Sequence, residues 1–167
     1  MGHLHSEEHS LEIQLPFLQV ALGDIRLVPV IMGSQDRESC ERLADALAFA
    51  LEEKKALIVA SSDLSHFLSE RQAEKLDSVI AERVSGFDPE GLLRDLERGN
   101  CQACGGGPMA AMMMAAKKLG ATAATVLEEG DSGDVTGDND SVVGYMSAAV
   151  SIPGEGHDHR VGVDLGL

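Results

Sequence analysis

Behind Ser10, Leu11, Leu15, Leu18 and Leu22 recur at helical spacing, with Pro16 as the interruption and Gly23 as the stop, so this segment reads as a kinked or broken helix. Residues 25–32 (IRLVPVIM) are a short β-branched run ending at Gly33 and read as a first strand, in which Pro29 suggests an edge position or a bulge. Ser34 and Asp36 stand where a helix cap belongs. Leu43, Ala46, Leu47, Ala50 and Leu51 mark one face of the helix that follows, up to the charged residues 52–55. The short apolar run 56–60 (ALIVA) is the second predicted strand. After SSDLSHF at 61–67, residues 69–84 alternate charge with Ala73, Leu76, Ile80 and Val84, an amphipathic helix stopped by Gly86. Asp88 and Pro89 open another, through Leu92, Leu93 and Leu96 to Gly99. CQACGGGP leads into a helix over 109–119 closed by Gly120, and 123–127 is a third short strand. A loop rich in Gly and Asp (EEGDSGDVTGDNDS) precedes a final strand over 142–151, and residues 153–167 read as a flexible tail.

This alternation of helices and strands predicts a layered α/β sheet protein, one domain over 1–167. A chain of 167 residues with 44% hydrophobic content can bury one sizeable core, and aromatic residues at 3% suit closely packed helices on a sheet better than a β-sandwich. The formal charge of −15, from 13 Lys and Arg against 28 Asp and Glu, argues against a nucleic-acid or anionic-membrane surface, which needs a basic patch. No apolar run is long enough to span a bilayer, and the opening MGHLHSEEHS lacks the basic and apolar regions of a signal peptide, so the expected location is cytoplasmic. Three cysteines are too few for a disulfide framework or a four-cysteine zinc site; free thiols in a reducing compartment are expected.

Ligands of layered α/β sheets gather at the carboxyl ends of strands, where SSDLSHF sits, and CQACGGGP is a helix entrance able to face the same pocket. Asp63 and His66 are three apart, a spacing at which the carboxylate can orient the imidazole for general acid/base work. The competing reading is that Asp63 or Ser65 caps the next helix beside an incidental histidine. Ser61, Ser62 and Ser65 read as caps and turn formers, without the glycine-flanked elbow of a serine hydrolase. Cys101 and Cys104 form C-x-x-C, readable as semi-buried thiols, a redox dithiol or a metal ligand. Of the two, only Cys104 adjoins the glycine-rich helix entrance, a setting that favours thiolate chemistry. The run of methionines 112–114 reads as core packing. His3, His5, His157 and His159 read as adventitious metal binders, whereas His9 stands at the edge of a folded helix from which it can reach a site. The aspartates of GDSGDVTGDND lack the closing Glu of an EF-hand and read as a solvated turn.

Four segments in order over 7–150, EEHSLEIQLPFLQ, SSDLSHF, ACGGGPMAAM and SGDVTGDNDSVVGYMSAAV, resemble the Memo family, whose fold is similar to that of class III extradiol dioxygenases. The resemblance implies a three-layer α/β/α sandwich with a metal pocket, usually for iron, with zinc or copper as other divalent candidates. In it a cysteine at the position of Cys104 joins two histidines, His66 matches the acid/base histidine, and Asp63 and His9 line the same pocket. Segments resembling APHAGY and GPSHH, which carry the two ligand histidines in the family, do not occur. The chain thus resembles the C-terminal part only, implying a fold incomplete at its N-terminus and a missing N-terminal half. The implied function is a non-haem metal-dependent oxidoreductase. The alternative is a non-catalytic module that binds a peptide or small-molecule ligand in the same pocket, and a thiol redox protein using Cys101 and Cys104 is third. The resemblance also implies a radical-SAM pathway partner in bacteria and archaea.

Overall fold

The strictest alternation in the chain belongs to VVGYMSAAVS, and the sheet is built around it. In the structure, a computed structural model that describes residues 10–152 and 160–165, the elements run α1 (Ser10–Leu22), α2 (Arg37–Leu51), β1 (His66–Leu68), α3 (Glu70–Ser85), α4 (Pro89–Arg98), α5 (Gly106–Lys118), β2 (Ala123–Asp131), α6 (Gly133–Thr136), β3 (Val142–Ser151) and β4 (Arg160–Leu165). Every second residue of β3, Val142, Gly144, Met146, Ala148 and Val150, is buried, as the two-residue period of a strand with one covered face requires. β2 lies antiparallel along one edge of β3, from Ala123 opposite Ser151 to Asp131 opposite Gly144. The other edge takes β1 at Val142 and Val143, and β4 from Met146 to Ser151.

Helix α3 covers β2 and β3, while α5 packs against both α2 and α4. From Gly106 to Ala116 all but Pro108 of α5 is buried, the signature of a helix with no solvent face; Met109, Met112 and Met113 are 0–1% exposed. Each such side chain contributes about 1.5–3 kcal/mol relative to exposure, and methionine adapts to the irregular space between α2 and α4. Local chemistry sets the ends. Asp36 accepts from the Ser39 N–H at 2.7 Å to cap α2. Asp88 accepts from the Gly91 N–H at 2.9 Å with Pro89 in the first turn of α4, and Gly99 closes that helix at φ 70°. Arg83 of α3 donates to Asp95 of α4 at 2.7 Å, and Asn100 donates to the same carboxylate at 2.9 Å, which ties the chain entering Cys101 to both helices.

The chain is α/β, with its helices packed on a small antiparallel sheet. Several local expectations differ. The two predicted strands at 25–32 and 56–60 are not strands: neither has a backbone hydrogen-bond partner among the described residues, and a strand exists only through its ladder. Helix α1 runs unbroken through Pro16. β2 continues to Asp131, α6 lies in the predicted Gly/Asp loop, and β4 lies within the segment read as a tail. No helix among the described residues is long and apolar enough to cross a membrane.

Candidate functional site

SSDLSHF follows the apolar run 56–60 and is drawn at once into the sheet. The Leu64 N–H donates to the Gly144 carbonyl and the Gly144 N–H to the Ser65 carbonyl, each at 2.9 Å, so β3 fixes the far half of the motif. From behind, Asp77 of α3 accepts from both the N–H and the hydroxyl of Ser65 at 3.0 Å. An added Cβ on Gly144 would stand 1.8 Å from that carboxylate, so a larger residue there would push Asp77 away from Ser65. Burial, ahead of its Ser65 hydrogen bonds, pushes the Asp77 carboxyl above the ordinary range, and the charges of Asp131 and Glu129 add to the rise.

The near half of the motif is fastened to the entrance of α5. The Cys104 N–H donates to the Asp63 carbonyl at 3.1 Å, and the Asp63 N–H donates to Cys104 Sγ at 3.1 Å. Ser62, 2% exposed, accepts from the Gly105 N–H at 2.7 Å and donates to the Asp63 carbonyl at 2.7 Å. A serine predicted as a local cap thus caps a helix forty-three positions on. Its single hydrogen is spent on Asp63, so in the 3.6 Å contact with Cys104 Sγ the thiol is the donor and Ser62 Oγ the acceptor. A Cβ on Gly105 would lie 2.6 Å from the Ser61 carbonyl, so only glycine lets the two segments approach this closely.

The structure brings Asp63, His66 and Cys104 together at one junction. His66 Nε2 lies 3.6 Å from Asp63 Oδ2, beyond hydrogen-bond length and within ion-pair distance. Both side chains are partly open to solvent, and Cys104 is exposed. The register of β1 against β3 shifts between His66 and Leu68, and Phe67 there adopts φ 58° with 78% exposure, a bulge that turns Phe67 into water. His9, His3, His5, His157 and His159 lie outside the described residues.

Cys101 stands elsewhere. It is 2% exposed and lines a cleft of about 440 Å³ with Gln35, Leu93, Leu96 and Gln102, a cleft whose walls include none of Asp63, His66 and Cys104. Burial pushes its thiol up to about 11, with the Asp95 and Asp77 charges adding to the effect. A buried, protonated Cys101 beside an exposed Cys104 is a poor pair for thiol–disulfide exchange.

Four side chains escaped sequence reasoning. Gln14, a buried amide on α1, donates to Ser61 Oγ at 3.0 Å and pins α1 to the motif. Gln35 clamps the α5 entrance by donating to the Cys104 carbonyl and accepting from the Gly107 N–H, each at 2.8 Å. Asp77 holds Ser65. Tyr145 of β3 lies within the field of Asp63, and burial first, then the Asp63 and Asp131 charges, raise its phenol above the ordinary value. Gln14 carried a usable signal as an amide amid the apolar residues of α1; Gln35, Asp77 and Tyr145 carried none, because their roles depend on long-range contacts.

A metal does not fit the described residues as they stand. No three His, Cys, Asp or Glu side chains among them gather into a group able to hold an ion. The aspartates at the end of β2 and in the turn after it bond to the backbone instead: Asp134 accepts from the Asp131 N–H and Asp131 from the Gly133 N–H.

Residues 2–149 match the family model described as Memo-like protein. The chain belongs to the Memo family. It is 43% identical over 149 residues to a MEMO1 family protein of Methanosarcina mazei and 42% identical to one of Methanosarcina acetivorans, covering 87% of this chain and 56% of each relative. A MEMO1 family protein of Methanobrevibacter smithii is 41% identical over 86% of this chain and 51% of its own length. The chain thus spans about half the length of the curated Memo relatives it matches.

Proposed function

We propose that this chain supplies the thiol and proton-transfer wall of a Memo-type pocket, and that the pocket serves a non-haem, metal-dependent oxidoreductase reaction on a small-molecule or peptide ligand. The observation that carries the reading is the double contact of Asp63: its N–H points at Cys104 Sγ at 3.1 Å while its carboxylate faces His66 at 3.6 Å. When His66 takes a proton from a bound ligand, the imidazolium forms beside a carboxylate already in place, and no rearrangement is needed. Negative charge on Cys104 is met by the Asp63 N–H at the head of α5. Fastening both motifs to β3, α3 and Gln35 keeps these groups in register. Iron is the metal the family resemblance points to. The described residues alone form no coordination sphere for it.

The test is an anaerobic cobalt(II) or iron(II) titration of the chain with His3, His5, His157 and His159 replaced by glutamine. The isolated chain is expected to bind weakly, with a sulfur-to-metal absorption band that disappears in Cys104→Ala and persists in Cys101→Ala. One equivalent held tightly in Cys104→Ala would overturn the ligand assignment. A pocket that only binds its ligand keeps its affinity in His66→Gln, whereas the proton-transfer role predicts a lost pH dependence of the bound spectrum.

A further inference from the structure

Tyr145 is the one tyrosine of the chain, and its neighbours along β3 decide which way it faces. Side chains of a strand alternate between its two faces. Gly144 faces α3, since a Cβ there would run into Asp77, and Ser65 faces the same way, with its hydroxyl on that carboxylate. His66 and Tyr145, each one residue further along, therefore stand on the opposite face. His66 pairs with Val143 across β1 and β3. Tyr145 is then its diagonal neighbour on that face, about 7–8 Å away between Cβ atoms and within reach of an aromatic side chain. On the β2 side Tyr145 is opposite Gly130, which has no side chain to cover the ring.

Asp63 joins the two residues there. Its carboxylate lies 3.6 Å from His66 Nε2, and its charge is felt at the Tyr145 phenol. Burial first, then the charges of Asp63 and Asp131, push that phenol above its ordinary value of 10.0, so it keeps its proton throughout the range in which an imidazole changes charge. The Tyr145 hydroxyl has no hydrogen-bond partner among the described residues and is open to solvent. A half-buried ring with an unspent O–H is a donor available to an acceptor from outside the chain.

We infer that Tyr145 is a further ligand-contacting residue of the Asp63–His66 site, donating its phenolic hydrogen bond to the ligand oxygen that becomes negative as His66 takes the proton. The inference rests on the proton-transfer role given to His66 above and adds the chemistry of the ligand, a molecule with an acidic O–H such as a phenol or an enol. The proton passes from the ligand O–H to the imidazole nitrogen, and the bonding pair stays on the oxygen. The resulting anion accepts from Tyr145 while the imidazolium faces Asp63. Both new charges thus meet a group already in place, and Tyr145 itself keeps its proton.

The experiment anchors an acidic phenol in the site, so that the outcome does not depend on affinity. 2-Hydroxy-5-nitrobenzyl bromide alkylates tryptophan and thiols; the chain has no tryptophan, and of its three cysteines only Cys104 is exposed, which places one nitrophenol beside the Asp63 N–H. The ionised nitrophenol absorbs visible light, so its acidity is read directly by pH titration of the labelled chain. Donation from Tyr145 is expected to make the label at least about fivefold more acidic than in labelled Tyr145→Phe, a variant that loses only a solvent-exposed hydroxyl and should keep the same circular dichroism and melting temperature. His66→Gln is expected to lower the acidity as well, since no imidazolium then stands by the anion. An acidity that is unchanged or raised in Tyr145→Phe but lowered in His66→Gln overturns the role of Tyr145 and leaves that of His66 standing. Lowered acidity in Tyr145→Phe alone supports the contact and overturns the proton-transfer role of His66. An acidity lowered in neither variant overturns both.

Discussion

Helix α5 and residues 25–32 are both strongly apolar stretches, and water meets them in opposite ways. GGPMAAMMMAAKK is buried almost throughout, whereas IRLVPVIM leaves Val28 at 83% and Val30 at 57% exposure. Their hydrophobicity does not explain the difference. A helix satisfies its backbone within itself, so α5 needs only side-chain contacts from α2 and α4 to be buried. A strand borrows its hydrogen bonds from a neighbour, and without one an apolar run is merely extended chain.

The sharpest way to break this comparison is to cut into its closed side. Met112, 1% exposed at the middle of α5, is part of the core, so Met112→Ala leaves a cavity. Urea denaturation is expected to show a loss of about 2–5 kcal/mol. A loss near zero would mean that α5 is not the centre of a packed layer.

Thiol chemistry reads the same contrast at the site. Cys40 is 0% and Cys101 2% exposed, both with thiols pushed up by burial, while Cys104 is exposed at the head of α5. Alkylation followed by mass spectrometry is expected to label Cys104 first, by a factor on the order of 100 or more, since the other two react only through opening of the fold. Equal rates at the three cysteines would remove the distinction between an open site and a closed core.

Two carboxylates give opposite pH signatures. Burial raises the Asp77 carboxyl, so its contribution to stability is complete below the ordinary value of 3.8 and is lost as pH rises through the folded-state value. Hydrogen bonds from Asn100 and then Arg83 lower that of Asp95, so its contribution is present above 3.8 and is lost as pH falls through the folded-state value. The penalty of Asp77→Asn is therefore expected to shrink on going from acid to neutral pH, and that of Asp95→Asn to grow. Thermal unfolding of the two variants across this range checks the signs, and parallel behaviour would contradict them.

Much of the closed side was legible in the sequence. The periodicity of residues 69–84, the Asp-Pro opening and Gly closing of α4, and the alternation of β3 each specify an element through neighbours within a turn or two. The junction of SSDLSHF with the α5 entrance was legible as two motifs and not as a geometry. Ser62 reaches Gly105, Gln35 reaches Cys104 and Gly107, and Ser65 reaches Asp77, partners that no local pattern announces. Residues 25–32 and 56–60 read as strands because composition reports the fitness of a side chain for a pleated surface. Whether a partner lies alongside is decided by tertiary context, and the bulge that turns Phe67 outward is a detail of the same kind.

The smallest expected effect bears most directly on the contrast. Val28→Thr alters a side chain that is 83% exposed and keeps the β-branched shape, so in the free chain it should change stability by no more than about 0.5 kcal/mol. Where a hydroxyl loses its water, burying it without a partner costs about 1–3 kcal/mol. The same substitution at Val150, 0% exposed in β3, should carry a cost of that size in the free chain already. Urea denaturation of the two variants checks the difference. A penalty of full size at Val28 in the free chain would mean that residues 25–32 are already covered there, and the contrast with α5 would fall.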